Sequence, residues 1–338
     1  MLTDLFQRMQ VNLAAKRQNV TEFLESAPEE KKELCCEDEH AIQSHLEVID
    51  TAIEELEDHT FGVCAVCHGH VDPGLLEMDY TVSVCLDHFS EQERRRLEEE
   101  LELSAIVQRA LLPQITPQIP GVELAAFSRP AAIIGGDYFD FFHYRDGTHG
   151  LVIADIPGHG VSAGMLMSSL QMAIRTMAPE TDAPSEILER INRFYIHNIN
   201  FTTFVTIFLA RFDPVTHTLT YVSAGHNPPA IVGQRNGEVS WLRPTAPAIG
   251  LSEEFLPRTE CVTLEHGDVL FLYTDGVTEA FNQVFEQFGS MRLAEVLRTN
   301  ADLSAADILQ TVRQGLEVFG VGRALEDDTT FIALKVLG

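Results

Sequence analysis

Four aspartates, Asp137, Asp155, Asp275 and Asp327, each stand where a run of apolar, strand-like residues meets glycine, threonine or a second acid. Strand ends let a fold aim several carboxylates at one point, and clustered carboxylates hold hard divalent cations. The contexts are Gly135-Gly136-Asp137, Leu151-Val-Ile-Ala-Asp155-Ile-Pro-Gly158-His-Gly160, Phe271-Leu-Tyr-Thr-Asp275-Gly276 and Glu326-Asp327-Asp328-Thr-Thr. One Asp-Gly pair is ordinarily a turn. Four such junctions are a different matter, because they can converge on one edge of a sheet. Carboxylates about 6 Å apart repel by roughly 3 kcal/mol per pair at an effective dielectric near 20, and cations relieve that repulsion. Two divalent ions would neutralise four carboxylates and leave positions open for water and a phosphate oxygen, the arrangement used for in-line displacement at phosphorus.

A second constellation lies upstream. Phe61-Gly-Val-Cys64-Ala-Val-Cys67 is followed, after a spacer, by Cys85-Leu-Asp-His88. Two pairs with two-residue gaps are a strong zinc signal, since each tight turn brings both ligands to one tetrahedral ion. Gly62, Gly69 and Gly74 permit the sharp turns, and His68 and His70 are adjacent competitors as ligands. Five of the six cysteines precede Glu91, which argues for a local metal site rather than a disulfide framework. Cys35 and Cys36 are adjacent, either a redox pair or two exposed cysteines without function.

Around these motifs the chain divides into three stretches: 1–89, 90–113 and 114–338. In the first, Leu2, Phe6, Met9, Leu13, Val20 and Phe23 follow helical spacing, as do Ile42, Leu46, Ile49, Ile53 and Leu56. Ser26-Ala-Pro28 interrupts the pattern, so the simplest assembly is an antiparallel helical hairpin. The alternative is two surface helices packed on the next domain. From Ser90 to Leu112 the chain is rich in helix formers and lacks glycine and proline until Pro113, which predicts one continuous linker helix. Its apolar stripe drifts, with Leu97, Leu101 and Ser104 on one seam and Leu103, Ile106 and Ala110 on another.

Beyond Gly121, strands are predicted at 122–127, 138–142, 150–154, 203–212, 218–222, 269–274 and 329–336, and helices at 162–177, 184–200 and 305–319. Many strands with a few grouped helices predict an α+β fold of layered sheets covered by helices, not an alternating parallel sheet.

The 338 residues are 45% hydrophobic, enough for at least one sizeable core. The net charge of -28, from 51 acidic and 23 basic residues, excludes nonspecific attraction to nucleic acid or anionic lipid and leaves proteins and metals as partners. No run of eighteen uncharged apolar residues occurs, so no membrane span is expected, and a cytoplasmic location is.

Residues 1–89, through Leu56-Glu-Asp-His-Thr-Phe-Gly-Val-Cys64 and the finger, resemble the DksA/TraR family. That resemblance implies a helical hairpin with one structural Zn2+ on Cys64, Cys67, Cys85 and His88, and contact with RNA polymerase. The family's Asp-x-x-Asp-x-Ala tip corresponds to Glu29-Glu-Lys-Lys32-Glu-Leu34, and His88 replaces its usual fourth cysteine.

The C-terminal two thirds resembles the PPM-type serine/threonine phosphatases of the SpoIIE/RsbU branch. The match runs through Ala110-Leu-Leu-Pro113, Arg129-Pro130, Gly135-Gly-Asp137-Tyr-Phe-Asp140, Ala154-Asp155-x-x-Gly158-His-Gly160, Ala224-Gly-His-Asn-Pro-Pro229, Thr274-Asp275-Gly276 and Asp327-Asp-x-Thr330. It implies an α-β-β-α sandwich and hydrolysis of phosphoserine or phosphothreonine on a STAS-type anti-sigma-factor antagonist. Two Mn2+ or Mg2+ ions are implied, with Asp155 bridging both, Asp275 and Asp327 on one, Asp137 on the other, and the Ile156 carbonyl as a further ligand. Asp140 and Asp328 would orient those ligands, and His159 is either a proton donor or a structural residue. The resemblance further implies regulation through the linker helix and a homodimer. The competing expectation is an RNA polymerase-binding or scaffold protein whose phosphatase domain is inactive; the presence of all four acids weighs against it.

Overall fold

A computed structural model describes residues 10, 13, 17, 49–58, 60–72, 76, 82–88, 90–158, 160–198, 204–235, 237–321 and 327–337. They fall in two units, one within Met1–Glu100 and one formed by Leu101–Ile199 and Thr203–Gly338.

In the first unit, residues 49–57 are helical. Ile49, Ala52 and Leu56, spaced three and four apart, bury one stripe in an apolar cluster with Leu13, Phe61, Cys64, Val71, Leu76 and Cys85. Arg17 and Asp50 form an ion pair. Most of the predicted hairpin, including its tip at 29–34, Cys35 and Cys36, lies outside the described residues.

Among its described residues the second unit carries ten strands: β1 (Val122–Arg129), β2 (Tyr138–His143), β3 (His149–Asp155), β4 (Thr206–Asp213), β5 (Thr218–Ala224), β6 (Ala230–Val232), β7 (Val239–Trp241), β8 (Glu260–Thr263), β9 (Val269–Tyr273) and β10 (Thr329–Val336). Helix α1 spans Glu91–Leu111, and the others are α2 (Val161–Met177), α3 (Pro184–Asn198), α4 (Asp275–Thr278), α5 (Gly289–Asn300) and α6 (Ala305–Phe319). Two five-stranded sheets form, in the orders β1-β10-β9-β6-β7 and β2-β3-β4-β5-β8, with every adjacent pair antiparallel.

Alternation along the strands explains the layers, since successive side chains of a strand point to opposite faces. In β3 and β4, Val152, Ala154, Ile207 and Leu209 pack against Met167, Leu170 and Ile174 of α2 and Ile187, Leu188 and Ile191 of α3. Their neighbours Leu151, Ile153, Phe208 and Ala210 face the other sheet, where they meet Leu270, Leu272, Ile332 and Leu334. The opposite faces of β9 and β10, through Phe271, Tyr273, Phe331 and Ala333, pack on Leu293 and Leu297 of α5 and Ile308 and Val312 of α6. Both faces of each central strand are covered, which is why these strands read as continuous apolar runs. The result is an α-β-β-α sandwich. Among the described residues, no helix is long and apolar enough to cross a membrane.

Candidate active site

Antiparallel register places the acids. In one sheet β2 starts where β3 ends, with Tyr138 opposite Ala154, so Asp137 and Asp155 share an edge. In the other, β10 starts where β9 ends, with Phe331 opposite Tyr273, so Asp327 and Asp275 share an edge. The two edges meet: the Thr274 hydroxyl, at the end of β9, donates to Asp137 Oδ2 across 2.9 Å. That hydroxyl also accepts from the Thr330 N–H at 3.0 Å, which ties it to β10.

Electrostatics register the convergence. Burial, followed by the Asp155 charge, holds the Asp137 carboxyl well above its usual range. Asp155 is pushed up to about 8 by burial and then by Asp275, Asp327, Asp328 and Glu279. Burial and then Glu279 raise Asp275. Repulsion among acids in a low-dielectric setting disfavours the charged forms, so protons or cations must compensate. The acids do not form one tight knot: among the described residues, Cys64, Cys67, Cys85 and His88 are the only set of three or more such ligands within 4.8 Å of one another.

The backbone around the acids is built for close approach. A Cβ on Gly136 would overlap the Ile156 carbonyl oxygen, so only glycine lets that carbonyl reach the strand bearing Asp137. Gly158 and Gly160 adopt φ of 96° and 88°, turning the chain from Asp155 into α2. The Gly160 N–H donates to the Ile134 carbonyl at 2.9 Å, which closes the 156–160 loop on the 134–137 loop. His159 lies outside the described residues.

Asp328 and Asp140 serve the scaffold. Asp328 accepts from the backbone N–H groups of Ala131 (2.7 Å), Gly136 (2.5 Å) and Asp137 (3.3 Å), so its carboxylate shapes the loop leading into Asp137. Asp140 is fully buried and bidentate to Arg175 of α2 at 2.6 and 2.5 Å, with the Tyr138 hydroxyl and Phe141 N–H completing its shell.

Sequence reasoning missed three participants. Gln108 of α1 grips Gly135 with both ends of its amide, donating to the carbonyl at 2.7 Å and accepting the N–H at 3.2 Å. Thr274 was visible only as a motif letter. Glu279, one turn after Asp275, adds a further negative charge to Asp155 and Asp275, and its i,i+4 spacing was the available signal.

In the other unit, Cys64, Cys67, Cys85 and His88 come together, Cys67 and Cys85 with sulfurs 3.7 Å apart, whereas His68 and His70 stay outside the set. The turn needs a left-handed backbone at Gly62 (φ 70°) and His68 (φ 59°). N–H groups of Val66 and Cys85 point at Cys64 Sγ, and that of Gly69 at Cys67 Sγ, each at 3.4 Å. Burial opposes ionisation of Cys64, but backbone donors outweigh it and bring the thiol down to about 6. Burial and the neighbouring thiols push Cys85 up to about 11. A thiolate prepared by N–H donors beside two further sulfurs and an imidazole is a donor set suited to Zn2+.

The family described as "Stage II sporulation protein E (SpoIIE)" matches residues 145–337, more than half of the chain. The chain is 33% identical over 187 residues to the phosphoserine phosphatase RsbU of Bacillus subtilis, covering 55% of each protein. It superposes on the SiaA PP2C domain of Pseudomonas aeruginosa with a TM-score of 0.64 at 22% identity, covering 72% of this chain and 98% of that one. With the RsbU and RsbW domains of Rv1364c from Mycobacterium tuberculosis the TM-score is 0.55 at 29% identity, over 65% of this chain and 61% of that one. The chain spans about half the length of the relatives it matches. Its sandwich of paired antiparallel sheets is the fold of the SiaA PP2C domain, and by its matched residues the chain belongs to the family described as Stage II sporulation protein E (SpoIIE).

Proposed function

We propose that the protein is a metal-dependent phosphatase that removes phosphate from serine or threonine of a phosphorylated regulatory protein of the anti-sigma-factor antagonist type. The observation that carries this reading is the meeting of the Asp137, Asp155 and Asp275 strand ends through the Thr274–Asp137 hydrogen bond, with all three carboxyls raised by burial and neighbouring acids and the Ile156 carbonyl drawn in against Gly136. Such an all-oxygen donor set suits Mn2+ or Mg2+. Asp155 would hold two ions, Asp275 and Asp327 would complete one site, and Asp137 with the Ile156 carbonyl would serve the other. When bound, such a pair activates water and neutralises the phosphoryl oxygens. Asp328, Thr274 and Gln108 hold the Asp137 loop in place, and Arg175 holds Asp140 behind it.

The experiment is Mn2+-dependent hydrolysis of an aryl phosphate and of a phosphorylated STAS-domain protein. Asp155→Asn should abolish both activities with the fold retained; an unchanged rate would refute the reading.

For the N-terminal unit we propose a DksA/TraR-like hairpin and finger with one structural Zn2+ on Cys64, Cys67, Cys85 and His88. This unit (1–89) and the linker (90–113) would regulate the phosphatase domain (114–338) in a cytoplasmic homodimer. Metal analysis should find about one zinc per chain, lost in Cys85→Ser. RNA polymerase is the partner that the resemblance suggests, and retention of polymerase by the immobilised chain, lost on zinc chelation, would support that contact.

A further inference from the structure

His226 lies at the junction of the two sheets and belongs to no part of the machinery described so far. It follows β5 through Gly225, whose φ of 65° and contact with Ala248 turn the chain inward. Gly225 is fixed by its N–H to the Ala246 carbonyl at 3.0 Å and by a parallel bridge to Ile207 of β4. The imidazole that follows is 2% exposed. Its Nδ1 lies 2.9 Å from the Thr206 hydroxyl. Thr206 is the residue directly opposite Asp155 in the β3–β4 ladder. On the other side, the neighbour acting on the ring is the Tyr273 backbone carbonyl, two residues before Asp275. Nε2 is buried and has no partner in hydrogen-bond geometry among the described residues.

We propose that His226 is a positioning residue for the metal centre, a cross-sheet strut that fixes the Asp155 strand end relative to the Asp275 strand end. This rests on the two-metal reading above. The carbonyl at Tyr273 calls for the tautomer with the proton on Nε2, so Nδ1 accepts from the Thr206 hydroxyl. Thr206 holds one side of the ring from β4, and Tyr273 faces the other from β9. A buried N–H left short of its acceptor is unfavourable, and drawing β9 toward the ring would relieve it. Asp155 and Asp275, which would share a cation, are borne by these same two strand ends. Burial keeps the imidazole neutral, its pKa pushed down to about 3, so the strut carries no charge into a site built to receive cations.

The test measures Mn2+ affinity directly, by the electron paramagnetic resonance signal of free Mn2+, on the full chain. Unfolding midpoints in EDTA are recorded alongside. His226→Phe removes both ring nitrogens, His226→Gln keeps an N–H donor near the Nε2 position, and Thr206→Val removes the hydroxyl within a β-branched isostere. His226→Phe and Thr206→Val should weaken Mn2+ binding tenfold or more, His226→Gln should stay within threefold of wild type, and the EDTA midpoints should not follow that order. If His226→Phe does not fold, Thr206→Val decides. Wild-type affinity in Thr206→Val or in folded His226→Phe would overturn the proposal, as would a loss in His226→Gln equal to that in His226→Phe. Failure of the wild-type chain to bind Mn2+ in an Asp155-dependent way would instead overturn the two-metal reading.

Discussion

Asp155→Asn should stabilise the metal-free protein while disabling it. The Asp155 carboxyl rises from 3.8 to about 8 in the folded chain, so between these values the folded state holds a proton that the unfolded state has released. Stability of the metal-free chain therefore falls as pH rises through that window. At pH 7.5 the full shift corresponds to about 5 kcal/mol, from roughly 3.6 effective pK units at 1.36 kcal/mol each. Asp137 and Asp275 are raised by the same crowding and share the compensating protons, so we assign about half, ~2.5 kcal/mol, to Asp155 alone. Asparagine has nearly the same shape and no charge, so the variant should gain that amount. In urea with EDTA at pH 7.5, its midpoint should move up by about 1 M, taking an m-value near 2.5 kcal/mol/M. At pH 4.5 the difference should shrink below about 1 kcal/mol, because that pH lies only slightly above the 3.8 at which the unfolded carboxyl releases its proton. Mn2+ at a hundredfold excess over Kd should erase the difference, adding about 2.7 kcal/mol to the wild type and little to the variant. A variant no more stable than wild type at pH 7.5 in EDTA would refute the account of crowded carboxylates.

Other outcomes follow from the same geometry. Gly136→Ala must push the Ile156 carbonyl aside, and Mn2+-dependent hydrolysis should fall at least a hundredfold without loss of the circular dichroism of the fold. Arg175→Ala leaves the buried Asp140 carboxylate without its cation and should destabilise the protein by about 3 kcal/mol, read from denaturation, while Asp140→Asn with Arg175→Ala recovers part of it. Apparent Mn2+ affinity should weaken about tenfold per pH unit below 8, since a proton must leave Asp155 before a cation enters; a titration between pH 6 and 8 measures this. Gln108→Ala frees both ends of its grip on Gly135, and the Mn2+ concentration giving half-maximal activity should rise about tenfold.

The long strands and helices were legible because their patterns are strong. β10 runs Thr329–Val336 and α6 runs Ala305–Phe319, as the spacing predicts, and β3 extends the predicted 150–154 by one residue at each end. The three-residue strands β6 and β7 escaped, because Ala230–Val232 and Val239–Trp241 are too short to show a period and are strands only by pairing with β9 and each other. Helix α5 also escaped, since its stretch, Gly289–Asn300, buries only Leu293 and Leu297 as a regular stripe. In the site, the acids were legible as repeated strand-end motifs. What holds them was not: Gln108 meets Gly135 across 27 residues and Asp328 meets Gly136 across 192, and no local pattern encodes such partners. Asp140 and Asp328 are the same residue type as the four acids, and their long-range partners, Arg175 for Asp140 and the Ala131 and Gly136 N–H groups for Asp328, are not written in any local pattern.

The pairing of β1 with β10 has a consequence for biosynthesis. Within its sheet β1 has one ladder partner, the strand that the ribosome makes last of the ten, and the carboxylate that shapes the Ala131–Asp137 loop arrives with it, 197 residues after Ala131. Until that point β1 presents a bare edge and the loop has no template. A chain stalled before Asp327 would hold most of its helices and the whole second sheet and still carry a sticky strand and no active centre. Completion of the acid cluster is thereby tied to the emergence of the last of the ten strands.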